Sequence, residues 1–233
     1  MLKIITNSKN NVVTIQGDVS IAAAGATYKN GFGIQLPFLA SAVQSVTGQK
    51  FKNNYISLAS NGVEAGQTKA VIIPFDSPDI LIHNADNSDI VNTLNSKEKV
   101  QGTTASVLIT LVAPIAQSAL TVSTFNPFLI SNQRRGYEIH LPGYVPTDKA
   151  DLNLLTSGDD GSVPGLGRYY VSKQNWPWAI AFNDQFTYPL EYHKITDGYL
   201  HFATWASSGG TLYLDWDNNP AAGYRNTNNL YLK

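Results

Sequence analysis

Short apolar or alternating runs, broken by clusters of Asn, Gly, Pro, Asp and Ser, dominate the chain and predict a mainly β fold. Leu2–Ile5 and Val12–Ala23 flank Asn7-Ser8-Lys9-Asn10-Asn11, the pattern of a β-hairpin. Val13, Ile15 and Val19 are its expected inward positions, with a bulge at Gly17-Asp18 able to change the register. Gly31–Leu36 and Lys69–Phe75 read as short strands, and Ile80–His83 as another. The near-continuous apolar run within Ser106–Ala113 predicts a buried strand. Phe128–Ile130 and Tyr137–Leu141 flank an exposed turn in which Arg134 and Arg135 read as solubilising charges. Arg168–Val171, Trp178–Phe182 and Thr211–Asp215 complete the predicted strands.

Three stretches carry helical spacing instead. Leu39, Ala42, Val43 and Val46 within Phe38–Val46 fall on one helical face. Ile90, Val91 and Leu94 do so within Asp86–Leu94. Tyr199, Phe202, Trp205 and Ala206 form an apolar stripe that Gly209-Gly210 can end. The expected architecture is therefore a β-sandwich, jelly-roll-like, with about three short helices. No composition break demands a boundary, so residues 1–233 are expected to form one unit, with 117–124 as the candidate hinge. The segment 141–165 has little periodicity. A loop of that length inside a compact unit is uncommon and is often functional.

Composition narrows the function classes. The chain of 233 residues is 43% hydrophobic, 11% aromatic and only 14% charged, with a net charge of −1. Nucleic-acid binding needs a basic stripe, and none is present beyond Arg134-Arg135. The absence of cysteine removes disulfides, thiol catalysis and thiolate metal sites. No run approaches the roughly 18 apolar residues of a membrane helix. Leu2-Lys3-Ile4-Ile5 reads as a strand rather than a signal peptide, so the chain is expected to begin inside a fold. Polar work falls to Asn, Ser, Thr and Gln, a surface suited to neutral hydroxylated partners.

Candidate chemistry concentrates in the second half. Asp159-Asp160 and Asp215, Asp217 and Asn218 are the best oxygen clusters for Ca²⁺, which takes 6–8 oxygen ligands. Neither matches the EF-hand loop, and adjacent Asp residues also serve as turn caps. Asn84, Asp86, Ser88 and Asp89 form a weaker third cluster. Glu138 and His140 share a strand face, and act either as an acid–base pair or as an anchor for the long loop. Trp176 and Trp178 would share one face if their segment were a strand. Exposed, they would form a stacking platform for sugar rings, with polar contacts from Asn175 and with Trp216 flanking; buried, they would be core. No His-x-x-x-His or Gly-x-Ser-x-Gly element supports a metalloprotease or α/β-hydrolase.

One ordered set of motifs carries a family resemblance. It runs from Phe125-Asn126-Pro127-Phe128 through Tyr137-Glu138-Ile139-His140-Leu141-Pro142-Gly143-Tyr144 and Pro146-Thr147-Asp148. Gly158-Asp159-Asp160-Gly161-Ser162, Arg168-Tyr169-Tyr170, Asn175-Trp176-Pro177-Trp178-Ala179-Ile180 and Tyr188-Pro189-Leu190-Glu191 follow, closed by Trp205–Gly210 and Asp215-Trp216. This set, within 125–217, resembles the signature of the LruC-domain family, bacterial proteins with a C-terminal domain of unknown function (DUF4842-like). Ala22–Leu36 is similar to the segment that precedes it. The resemblance implies an exported protein of Bacteroides-like bacteria, secreted or on the outer-membrane surface, with no established enzymatic activity. It also implies that an Asp/Asn-rich stretch, common before the first hairpin in such proteins, lies ahead of this chain's start. The expected function is a non-catalytic surface or secreted module for binding or scaffolding, its ligand unspecified, with a glycan or another surface protein as candidate partners. The rival expectation is a glycan-active enzyme, and Ca²⁺ is the one candidate cofactor.

Overall fold

The computed structural model describes residues 2–232; Met1 and Lys233 lie outside the described residues. Eight strands form two antiparallel sheets. The strands are β1 (Leu2–Thr6), β2 (Asn11–Ser20), β3 (Gly31–Leu39), β4 (Val43–Thr47), β5 (Lys69–Phe75), β6 (Thr104–Ala116), β7 (Asn126–Ile130) and β8 (Glu138–His140). The first sheet has the order β1-β2-β6-β4 and the second β5-β3-β7-β8. The main core lies between them, where Val12, Ile15 and Ile109 of the first sheet meet Ile34, Leu36 and Ile72 of the second. Each fully buried side chain of this size contributes about 1.5–3 kcal/mol relative to exposure.

Bulges explain where the inward positions depart from expectation. The β2–β6 register shifts between Val12 and Thr14, so Val12 and Ile15 are fully buried and Val13 is not. β6 alternates: Ala105, Val107, Ile109 and Leu111 face the core, while Leu108 and Val112 face solvent. Its apolar run therefore belongs to a strand wet on one face. β5 is the strand buried on both faces. It contains Pro74 without penalty because it is an edge strand and its register with β3 shifts beside the proline.

Two expected helices are absent. Phe38–Val46 is the end of β3, a 3-10 turn at Ala40–Ala42, and β4. Val43 and Val46 are both buried because the β4–β6 register slips between Val43 and Ser45. One extra residue turns a period of two into a spacing of three, which mimics a helix. Asp86–Leu94 is a series of turns, with Val91 bridging Ala24. The third stretch gives two short helices, α1 (Ile195–Gly198) and α2 (Phe202–Ser207). Residues 117–124 form two 3-10 turns that carry the chain from one sheet to the other, with Leu120 and Phe125 anchored in the core.

The outer face of the second sheet is covered. Val71, Ile73, Phe128 and Ile130 pack with Ile56 in a second apolar cluster. Asp76 holds this cover by accepting the backbone N–H groups of Asn54 (2.6 Å), Tyr55 (2.5 Å) and Ile56 (3.1 Å) on one carboxylate oxygen. Gly33 is obligatory here, since a Cβ would stand 2.4 Å from the Phe128 ring. A third cluster, built by Tyr199, Phe202, Ala206, Trp216 and Leu230, contains no strand residue. The segments expected as strands at 168–171, 178–182 and 211–215 are turns and isolated bridges that serve this cluster and the loops around it.

Candidate functional site

The long loop is tied to the second sheet by a buried polar network. Arg135, expected as a solubilising turn charge, turns inward and forms ion pairs with Glu64 and Glu138, whose side chains are fully buried. Arg134 alone stays at the surface side of the turn, 5.1 Å over the Tyr137 ring. Thr147 donates its backbone N–H to Glu138 Oε2 (2.9 Å) and its hydroxyl to Glu138 Oε1. The same hydroxyl accepts from Arg135 Nη2 (2.9 Å) and Gln67 Nε2 (3.1 Å). His140 reaches Asn126 Oδ1 (2.6 Å) and Glu138 Oε2 (2.8 Å) through its two ring nitrogens, and lies between the rings of Phe128 and Tyr170. Burial raises the Glu138 carboxyl, but His140, Arg135 and Thr147 outweigh it and hold the group below the ordinary value. Burial pushes the His140 imidazole down, against the pull of Glu138. The Glu138–His140 pair is thus a fully enclosed anchor of the loop, with no face open to a substrate.

What this anchoring creates is a groove of about 340 Å³ between the β7–β8 turn and the loop. Tyr137, Ile139, Leu154, Leu155 and Tyr170 line it, with Asp151, Asp159, Asp160 and Trp178. Trp178 is 46% exposed and Tyr137 is 37% exposed. The Trp178 indole N–H donates to Asp160 Oδ2 (3.0 Å), which fixes the plane of the ring. Asp160 Oδ1 accepts the backbone N–H groups of Thr156 (2.9 Å) and Ser162 (2.8 Å). Burial alone would raise the Asp160 carboxyl, but these donors and the indole hold it below its ordinary value. Asp159 is exposed, and its carboxylate has no hydrogen bond or ion pair among the described residues. Thr156, Tyr170 and Asn175 all have positive φ, of 69°, 54° and 67°. Such positions cost of order 1–3 kcal/mol each and persist where the surroundings over-determine them.

The remaining candidates lie elsewhere. Trp176 and Trp178 do not lie in a regular strand, their segment being bridged at Val171–Pro177, and they make separate contacts. Trp176 packs edge-on against Phe202 (5.5 Å) and donates its indole N–H to Ser207 Oγ (3.2 Å). Trp216 is 2% exposed, at the centre of the third cluster, which removes it from any surface ligand. Asn175 is spent on structure: its amide donates to the Ala206 carbonyl and accepts from Arg168. Asp215 closes a tight turn, accepting Asn219 Nδ2 on its side chain and the N–H groups of Asn218 and Asn219 on its carbonyl. Asp217 and Asn218 belong to that same turn, away from the Trp178 groove.

These neighbours test the fit of a cation. Asp160 accepts three N–H donors across its two oxygens, and Asp215 Oδ2 accepts an amide. No group of three or more His, Asp or Glu side chains among the described residues is arranged around a common point. Ca²⁺ would have to draw most of its 6–8 oxygens from backbone carbonyls and Asn side chains. Sequence reasoning missed Arg135, Glu64 and Tyr137. The first two meet across 71 residues, so no local pattern announces them.

The class that emerges is a two-sheet antiparallel sandwich whose second sheet carries a loop-built, aromatic groove. Residues 10–216 match the model of a domain of unknown function (DUF4842), and the chain belongs to that family. No curated protein matches the chain in sequence. Among solved structures, a crystal structure described as a "Putative lipoprotein" from Bacteroides ovatus superposes with a TM-score of 0.64 at 19% identity. The match covers 95% of this chain and 65% of the other, so the chain spans about two thirds of that relative's length and shares its fold.

Proposed function

We propose that this chain is a non-catalytic binding module of a secreted or cell-surface bacterial protein, and that the Trp178 groove holds a sugar ring of a neutral glycan. The carrying observation is Trp178 itself: a half-exposed indole, held in one orientation by Asp160, at a groove that also presents Tyr137. An apolar ring face stacks on such a plane, and hydroxyls bond to Asp159, Ser131 and Ser157 at the rim. Binding is favoured over hydrolysis because Glu138 and Asp160 are each held by several donors, and a general acid needs a raised rather than a lowered carboxyl. The Bacteroides ovatus relative's description as a lipoprotein and the motif resemblance to LruC-domain proteins support the extracytoplasmic placement. No helix among the described residues is long and apolar enough to cross a membrane.

The test is titration of the protein with a panel of neutral oligosaccharides while tryptophan fluorescence is followed. Binding should perturb the emission, and Trp178→Ala should abolish both the spectral change and the heat of binding in calorimetry. An unchanged calorimetric affinity in Trp178→Ala would sink the assignment.

A further inference from the structure

The Trp178 groove does not stand alone. A second depression, of about 460 Å³, shares Ala150 and Leu155 with it and adds Thr156 and Tyr169. A third, of about 520 Å³, shares Val145 with the second and adds Ser123, Thr124 and Tyr144. The first and third share no residue, and the second shares residues with each of them. Each depression contains at least one aromatic ring open at least in part to solvent: Trp178 and Tyr137, then Tyr169, then Tyr144. Each also presents hydroxyls: Ser131 and Ser157, then Thr156, then Ser123 and Thr124. Among the residues that line one or other of the three, Lys69 is the one cation, against Asp148, Asp151, Asp159 and Asp160; Glu138, buried and paired with Arg135, adds no free charge.

We infer that the three depressions form one extended site that takes the interior of a linear, uncharged polysaccharide, one sugar ring to each depression. This rests on the glycan reading above and specifies its ligand. An aromatic plane with neighbouring hydroxyls, repeated along a track, matches a polymer that repeats an apolar ring face and hydroxyl edges. A single sugar would need one such place. The acidic excess turns away anionic polymers by like-charge repulsion. Of the shared residues, Val145 is 57% exposed, Ala150 is partly exposed and Leu155 is buried, so none raises a large exposed side chain against a chain ligand.

The test uses calorimetry with neutral linear gluco-, manno- and xylo-oligosaccharides, from monosaccharide to hexasaccharide. For the series that binds, affinity should rise by about tenfold with each ring up to the trisaccharide and then level off, a factor equal to about 1.4 kcal/mol per ring. Tyr144→Ala should remove the gain of the last of those rings while leaving the monosaccharide affinity intact. Trp178→Ala should weaken every length. Equal affinity for monosaccharide and hexasaccharide would overturn the extended site yet leave the Trp178 groove as a single-ring site. Wild-type hexasaccharide affinity in Tyr144→Ala would overturn it in the same way. Binding of an extended peptide and of no oligosaccharide would overturn both readings. Near-native circular dichroism and melting of each variant verify that it is folded.

Discussion

The outer face of the first sheet carries Leu108 and Val112 into solvent, the latter 64% exposed, whereas the outer face of the second hides Val71, Ile73, Phe128 and Ile130 almost completely. Both sheets share one core, so the difference lies in what covers them. Over the second sheet, the segment around Ile56 and the long loop must bring backbone and charged groups out of water. They do so only by pairing them: Asp76 with three N–H groups, and Glu64 and Glu138 with Arg135. Leu108 and Val112 on the open face need no such network. The candidate site is thus a by-product of covering a sheet with irregular chain, and its shape depends on buried charge pairs that the open face does not contain.

The strongest way to break this contrast is to remove the charge that organises the cover. Arg135→Ala leaves two buried carboxylates without their cation and should cost about 3–5 kcal/mol in urea unfolding. A loss below about 1 kcal/mol would mean that the network does not hold the loop. Phe202→Ala tests the strand-free third cluster, where Phe202 contacts Trp176, Trp205 and Trp216 and is 3% exposed. Its expected cost is about 3–5 kcal/mol. A wild-type melting temperature would show that this cluster is dispensable for folding. Val112→Ser, on the open face, should change stability by no more than about 0.5 kcal/mol. A larger loss there would erase the distinction between the faces.

The same contrast explains how much the sequence discloses. On the open sheet, β1, β2 and β6 stand where the pattern puts them, although bulges and a one-sided burial change which of their side chains face the core. β5 and the β7–β8 hairpin are also where their runs and turn residues predict. Failures fall where a bulge or a tertiary partner overrides local period. A slipped register made Val43 and Val46 look helical. Trp176 and Trp178 diverge because no neighbouring strand extends their segment, and side-chain direction there is set by Phe202 on one side and Asp160 on the other. Asp159, Asp160 and Trp178 were individually readable as candidates, and folding gathers them into one groove. Their partners Tyr137 and Asp151 carry no distinguishing local signal, and Arg135 looks like any turn arginine until Glu64 arrives from a distant hairpin.

Acid should act on the covered side first. Glu138 and Asp160 both have carboxyls held below their ordinary values in the fold. A depressed carboxylate contributes stability that is present above its unfolded value, near pH 4 to 4.5, and is lost as pH falls through the lower folded value. Burial also holds the His140 imidazole below its ordinary value near 6.5, so melting temperature should begin to decline below about pH 6.5 and fall further below about pH 4, where the carboxylates add their loss. Asp160→Asn should flatten part of that decline. It should also release Trp178, which a red-shifted emission at neutral pH would report. An acid profile unchanged by the substitution would mean that Asp160 does not govern the groove.

The smallest expected effect is that of calcium. An ion that bound only the native state would raise the melting temperature by mass action. Here the acidic loops are already satisfied from within the protein. Three N–H donors surround Asp160, and Asp215 holds Asn219 across a tight turn. To bind there, an ion would have to displace those donors, re-form the turns and recruit further oxygens from the surrounding loops. The Asp159 and Asp217 carboxylates are open but lie in separate loops, and one carboxylate falls far short of the 6–8 oxygens that Ca²⁺ takes. Melts in millimolar Ca²⁺ and in excess chelator should superimpose. A reproducible rise in calcium that disappears in Asp159→Asn would show that the loop rearranges to bind the ion, and would make the groove's acidic rim a metal site.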